Sequence, residues 1–346
     1  MSTTIEPKRT TRVQTDSRRF HTLTGVQVLG TGAFAPLNVV RNEDLSELGF
    51  DPDWIIQRTG IHERRHALRD EVTSDLAFNA AILCLEAADV SVRDLDLILV
   101  GTVTPDRPMP STACILQQKL GANAPAFDIN AACSGFVYTL ATGAQFVKTG
   151  HSKRVLVVGA DVMSRIINPA DKKTYPLFGD GAGAVLLGAG SDEQGFLSYM
   201  LGADGEGAGL LCVPAGGSEE PPTTTAIEAE RQFMQMDGRA VFKWAIRTVS
   251  DAVRETLQHA GKSIKDVDSL ILHQANIRII DAVVDELGFD SRKVVINLEQ
   301  YGNTSAGSIP LALAEADQQG RINRGDLVLM CGFGAGLTWG TALLRW

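Results

Sequence analysis

The sequence predicts a layered α/β protein built from two copies of one unit, and three pairs of matching segments predict it. SVRDLD at 91–96 matches SIKDVD at 263–268, an offset of 172 residues from Ser91 to Ser263. Apolar runs follow both, at 97–100 and 270–272, so each reads as a helix end, a polar link and a buried strand. FDINAACSGFVYTLATGAQFVKTG and VVINLEQYGNTSAGSIPLALAEADQQG share a second plan of strand, tight turn and long helix. Cys133 opens the first of these helices and Asn303 stands just before the second, 170 residues on. Both helices end near a glycine, a frequent C-terminal cap, and lead to the strands RVLVVGA and DLVLMCG. GDGAG at 179–183 and GFGAG at 332–336 form the third pair, each read as preceding a strand. Residues 1–22 read as a disordered tail, 23–200 as the first half, 201–236 as a loop-rich insertion and 237–346 as the second half. Pseudo-twofold symmetry between the halves brings Cys133, His273 and Asn303 to one site.

Composition bounds the function. Of 346 residues, 44% are hydrophobic and 21% charged, as in a folded globular chain. No apolar run approaches the ~20 residues of a membrane span. A formal net charge of −9 argues against a nucleic-acid-binding body, and an acidic partner then needs a local basic patch. The five cysteines are scattered without a CxxC pair, which suggests neither a disulfide framework nor a zinc ribbon and fits a reducing cytoplasm. The first twenty residues lack the apolar core of a secretory signal; their Ser, Thr and Arg fit a disordered tail better than a transit peptide.

Three residues stand where chemistry is done. Cys133, in NAACSGF, sits where a strand hands over to a helix, and a helix N-terminus favours thiolate. That makes it a candidate nucleophile, whereas Cys84, inside LAFNAAILCLEAA, reads as inert core. His273 ends the strand SLILH, and α/β sites lie at the carboxyl ends of strands. Asn303, in YGNTSAGS, taken alone is a turn or cap residue; its near-mirror relation to Cys133 raises its weight. Two patterns are decoys. His62-Glu63-Arg64-Arg65-His66 matches HExxH, but Gly60 precedes it, arginines fill its middle and no third ligand is evident. GDGAG precedes a strand and lacks GxGxxG spacing, so no nicotinamide site is expected.

From about Leu23 to Trp346 the chain resembles the type III β-ketoacyl-acyl-carrier-protein synthases. DPDWIIQRTGIHERR, FDINAACSGF, PLFGDGAGAVLL, HQANIRII, YGNTSAGS and GFGAGLTWGTALLRW carry the resemblance. It implies a thiolase-like α/β fold, with duplicated αβαβαββ-type halves in a five-layered αβαβα arrangement. It implies the initiating condensing enzyme of type II fatty acid synthesis, a cytoplasmic homodimer. Cys133 would take an acyl group from an acyl-CoA primer as a thioester. Malonyl-acyl-carrier protein would then lose carbon dioxide and attack it, giving 3-oxoacyl-acyl-carrier protein. His273 and Asn303 would stabilise the enolate, and the backbone N–H groups of Cys133 and Ala335 would form an oxyanion hole. No cofactor is implied, since CoA and carrier-protein thioesters are substrates.

By the same resemblance Trp54 and Arg58 would hold the adenine end of CoA. Gln274, Arg278 and Lys243 would face the acidic carrier protein, with Arg278 also near CoA. Three departures from the family pattern matter. Lys172 stands where relatives have a phosphate-binding Arg, and lacks its bidentate geometry. Ala335 replaces a glycine, tolerable unless the backbone needs positive φ. Met109 stands where the family gates the acyl pocket across the dimer, leaving primer length open. Competing readings are a starter-unit enzyme of specialised metabolism, a catalytically dead scaffold of this fold, and a zinc peptidase through His62 and His66.

Overall fold

The computed structural model describes residues 19–346. Residues 1–18 of the expected tail lie outside the described residues. The tail assignment was too long at its far end, because Phe20–Thr24 is a strand.

Two five-stranded sheets carry the chain. The first runs, edge to edge, Val26–Phe34, Asp180–Ala189, Arg154–Val162, Leu97–Gly101 and Ala126–Ile129. The second runs Phe20–Thr24, Gly195–Ala203, Thr338–Arg345, Leu327–Gly334 and Ser269–Leu272. Within each, the parallel-paired strands include continuous apolar runs (VLVV and LILV in the first, LVLM and LIL in the second), as strands buried on both faces require. Antiparallel pairs give way to parallel ones in the same order in both sheets. The second sheet replaces the Ala126–Ile129 strand by a single bridge, Leu270 to Val294, and gains Phe20–Thr24 on its far edge.

The helices Gly135–Lys148 and Ser308–Gln318 lie between the sheets. Phe136, Leu140 and Ala144 of one and Ile309, Ala312 and Leu313 of the other pack with residues of both sheets in one core. Thr73–Ala88 and Thr112–Leu120 cover the outer face of the first sheet. Gly238–His259 and Ile277–Leu287 cover that of the second. The order helix, sheet, helix, sheet, helix is the expected five-layered arrangement.

The duplication is sound, but two of its sequence pairings are out of register. GDGAG opens the strand Asp180–Ala189, while GFG closes the strand Leu327–Gly334, so these segments are not counterparts. Their glycines recur for a packing reason. A methyl on Gly183 would stand 2.4 Å from the backbone of Pro310, and one on Gly334 would stand 2.7 Å from the amide nitrogen of Cys133. The second correction concerns the two helix-opening turns. Ala132 (φ 48°) and Ser305 (φ 51°) each occupy the left-handed region at the start of a one-turn 3₁₀ helix. Matching them pairs Cys133 with Ala306 and Asn303 with Asn130, at the 173-residue offset that also relates Arg154 to Leu327.

The segment expected as loop at 201–236 is partly ordered structure. The strand Gly195–Ala203 runs into it, Leu211–Cys212 pairs with Gln235–Met236, and Thr224–Glu228 forms a short helix. Among the described residues no helix is long and apolar enough to cross a membrane.

Candidate active site

One cavity of about 930 Å³ opens where the two halves meet. Cys133, His273 and Asn303 all line it, with Ala335, Trp54 and Arg58. Each of the three polar groups comes from the end of a buried strand or the turn before a central helix. The apolar wall is Met163, Ile166, Phe178, Leu211, Met234 and Phe333. Sequence reading placed 201–236 in an insertion and did not foresee that it supplies part of this wall.

Cys133 is buried at the opening of the Gly135–Lys148 helix. The GFG loop presses on it: a methyl at Gly334 would also stand 2.9 Å from the Cys133 Cβ. The expectation that the helix terminus lowers the thiol pKa is only one side of the balance. Burial pushes the Cys133 thiol up to about 12; the nearby Ser305 hydroxyl draws it back and the Asp161 charge adds to the rise. Desolvation of a thiolate outweighs the pull of one helix end. The neutral thiol is therefore the resting form. Without substrate, iodoacetamide should label Cys133 slowly at pH 7, and the rate should climb about tenfold per pH unit to at least pH 10, following the thiolate fraction. A plateau below pH 8 in labelling followed by peptide mapping would show that the helix terminus dominates.

His273 follows the strand Ser269–Leu272, with its N–H on the Cys331 carbonyl at 2.9 Å. The ring meets Phe333 edge-on at 5.2 Å between centroids. Burial lowers its pKa to about 3, so the imidazole is neutral at neutral pH and offers one N–H as a donor. Its Nδ1 has no partner among the described residues.

Asn303 is held by its backbone: its N–H donates to Leu177 O (2.8 Å) and its carbonyl accepts from Gly179 N–H (3.0 Å). Its Oδ1 accepts the Ser305 N–H at 2.9 Å. That contact fixes the amide, since the oxygen must face the backbone donor. The Nδ2 donors are left toward the cavity.

Ser305 and Asp161 were missed from sequence. Ser305 lines the cavity beside the Cys133 sulfur, although its Oγ makes no hydrogen bond of good geometry among the described residues. Asp161 is fully buried at the end of Arg154–Val162. Its Oδ1 accepts from Thr102 Oγ1, Val103 N, Thr104 N and Thr104 Oγ1, and its Oδ2 from Ala306 N, at 2.8–3.0 Å. It thus bolts the loop after Leu97–Gly101 to the helix-opening turn of the other half. A polar residue at a buried strand's carboxyl end was the available signal, the one that found His273.

The outlying candidates fare differently. Trp54 is 45% exposed at the cavity mouth, with the Arg58 guanidinium 5.8 Å from its ring centre. Ala335 is not among the positive-φ residues, so its methyl is accommodated, as expected. Lys172 is outside the cavity lining. Its ammonium donates to Gly49 O at 2.6 Å and stands over Phe50, while Lys173 lines the cavity instead. Gln274 is buried and unavailable for docking: its amide donates to Leu272 O and accepts from Asn297 N and Leu298 N. Arg278 and Lys243 are exposed outside the lining, with Arg278 over Phe242, a residue of the cavity wall. Met109 is 84% exposed and away from the cavity.

The HExxH match does not make a metal site. Glu63–Arg65 is a strand paired with Val39–Arg41, not a helix. At about 3.3 Å per residue, an extended chain puts His62 and His66 about 13 Å apart. No group of three or more His, Cys, Asp or Glu able to hold a metal occurs among the described residues. The zinc-peptidase reading is thereby overturned.

A duplicated five-layered fold that gathers Cys, His and Asn in one cavity defines a thiolase-like condensing enzyme. Family models bear this out: 3-oxoacyl-[acyl-carrier-protein] synthase III matches residues 127–205, and its C-terminal counterpart matches 257–346. A β-ketoacyl-[acyl-carrier-protein] synthase III of Rhodopirellula baltica is 54% identical over 94% of this chain and 99% of its own length. One of Clostridioides difficile is 47% identical over 92% and 98%. The solved 3-oxoacyl-[acyl-carrier-protein] synthase III of Aquifex aeolicus superposes with a TM-score of 0.86 at 42% identity, covering 93% of this chain and 100% of its own. The chain belongs to the 3-oxoacyl-[acyl-carrier-protein] synthase III family. It is a condensing acyltransferase of fatty acid biosynthesis.

Proposed function

We propose that this chain joins an acyl-CoA primer to malonyl-acyl-carrier protein, with Cys133 carrying the acyl group and His273 and Asn303 driving decarboxylation. The observation that carries the reading is the meeting of a buried thiol and two neutral donors in one cavity. Cys133 attacks the primer's thioester carbonyl; the C–S bond to CoA breaks, and the thiol proton ends on the CoA sulfur. Transfer is neutral overall, so a resting thiol does not obstruct it. The N–H groups of Cys133 and Ala335 take the oxyanion charge.

In the second stage the malonyl C–C bond to the carboxylate breaks and carbon dioxide leaves. The electron pair stays as an enolate, whose oxygen meets the His273 N–H and the Asn303 amide. The enolate carbon then bonds to the acyl carbon, the C–S bond to Cys133 breaks, and the thiolate takes a proton from solvent, the one proton the condensation consumes. Neutral His273 suits this task, because it donates to the developing charge without needing a proton from solvent.

Trp54, Arg58 and Lys173 at the cavity mouth are the assigned contacts of the CoA end, with Lys173 in place of Lys172. Arg278 and Lys243 remain the docking cations for an acidic carrier. The enzyme needs no cofactor and acts in the cytoplasm as a homodimer, in which exposed Met109 faces the partner's acyl pocket. The test is reconstitution with malonyl-acyl-carrier protein and a series of short- to medium-chain acyl-CoA primers. Carbon dioxide and 3-oxoacyl-acyl-carrier protein should form in equal amounts with at least one primer. No product with any of them would sink the reading.

A further inference from the structure

The HERRH segment lacks the helical geometry of the zinc motif, yet two of its side chains are buried: Arg64 completely and His66 nearly so. Arg64 and His66 each send one bond to the 176–180 chain that holds Asn303, and Arg64 is anchored by two more to residues 40 and 42. Arg64 Nη2 donates to Pro176 O at 2.8 Å and to Asn42 Oδ1 at 2.7 Å, and Nη1 donates to Val40 O at 3.1 Å. His66 Nε2 stands 3.3 Å from Phe178 O; the carbonyl can only accept, so that nitrogen carries the proton. Burial lowers the His66 pKa and favours this neutral form. The Ala67 N–H reaches the Asp180 carboxylate at 2.7 Å.

The chain at 176–180 thus has two sides. Residues 176, 178 and 180 are held by the 64–67 segment. Leu177 O and Gly179 N–H point the other way and clamp the Asn303 backbone. These two bonds form an isolated parallel bridge between Phe178 and Asn303. The stem of Arg64 adds a steric wall. Methyls placed on Gly179 and Gly302 would stand 3.0 and 3.3 Å from its Cβ, and these glycines flank Phe178 and Asn303. On the other flank, His62 N–H donates to Glu299 O at 2.9 Å, and the Arg65 guanidinium lies 5.7 Å from the Tyr301 ring centre.

We propose that Arg64 and His66 are positioning residues for Asn303: through the 176–180 chain they fix where its amide donors point. The inference rests on the reading that Asn303 acts in decarboxylation. It therefore requires discharge of the acyl-enzyme, not its formation, to depend on the clamp.

The experiment times both stages by intact-mass spectrometry, with acyl-CoA for loading and malonyl-acyl-carrier protein for discharge. His66→Phe keeps the ring and removes the donor; His66→Gln restores a donor. His66→Phe should slow discharge about 10- to 100-fold, as sub-ångström to ångström misplacement of a catalytic group does, and leave loading within about threefold. His66→Gln should recover most of the loss, and Asn303→Ala serves as the reference. Parallel falls in loading and discharge, or equal rates for Phe and Gln, would overturn the clamp. If Asn303→Ala itself spares discharge, the role assigned to Asn303 fails instead, and the two failures are distinguishable. Should His66→Phe not fold, Arg64→Lys carries the same reading, because it keeps charge and stem but not the paired donors. Hydrogen exchange across residues 298–305 should quicken in whichever variant slows discharge; unchanged exchange counts against the clamp.

Discussion

Cys133→Ala is expected to abolish the acyl adduct and to cut condensation by at least about 10⁴-fold, the scale on which removing a covalent nucleophile costs an enzyme. The fold should survive. The substitution removes one atom from a small buried side chain, and the Gly334 backbone keeps its close approach to residue 133. Intact mass after incubation with acyl-CoA should show one adduct in the native protein and none in the variant. Two of the other cysteines, Cys331 and Cys84, are too buried to replace it. Cys331 lies in mid-strand opposite Thr341, fully buried in the outer core, and burial raises its pKa. Cys84 is likewise buried, inside the helix Thr73–Ala88. Cys212 lines the same cavity, which makes the peptide assignment of the adduct decisive. Cys133→Ser should load only slowly: a hydroxyl ionises far less readily than a thiol, and the same burial opposes its anion. An undiminished adduct in Cys133→Ala, mapped to Cys212, would end the assignment of the nucleophile.

How much of this was legible in sequence depended on the range of the interactions involved. The place of Cys133 was readable because it opens a helix after a strand, and that of His273 because it stands at the carboxyl end of an apolar strand, both local patterns. The layered fold followed from repeated strand and helix plans. The GDGAG and GFGAG pairing misled because glycine marks close approach, and two unrelated approaches can share a spelling: one strand meets Pro310, the other meets Cys133. The Cys133–Asn303 symmetry was three residues out for a related reason. The true landmarks were the left-handed Ala132 and Ser305, and nothing in either residue's chemistry announces that conformation. Long cations were the least legible. Lys172 sits on a flexible stem whose direction sequence does not fix, and it took the Gly49 carbonyl. Gln274 was invisible as a structural residue, because its partners Asn297 and Leu298 lie more than twenty positions away.

Asn303→Ala and His273→Ala should each slow discharge by malonyl-acyl-carrier protein about 10²- to 10³-fold, the usual loss when one donor to a developing oxyanion is removed. Loading of Cys133 should stay within about threefold, since the proposed oxyanion hole for that step is built from backbone N–H groups. The double variant should lose much less than the product of the two single losses, because both donors serve the same charge. Asn303→Asp decides the electrostatics. One carboxylate oxygen can still accept the Ser305 N–H, so the backbone clamp survives. The other oxygen then replaces a donor with an anion facing an enolate. Repulsion in a site this dry exceeds the loss of a hydrogen bond, so Asp should be slower in discharge than Ala. An Asp variant faster than Ala would mean that Asn303 does not face the charge. Equal losses in loading and discharge for His273→Ala would place the imidazole in acyl transfer instead. The neutral ring, held near pKa 3 by burial, makes the first outcome the expected one, because it can donate to an enolate but is too weak a base to hold the Cys133 proton.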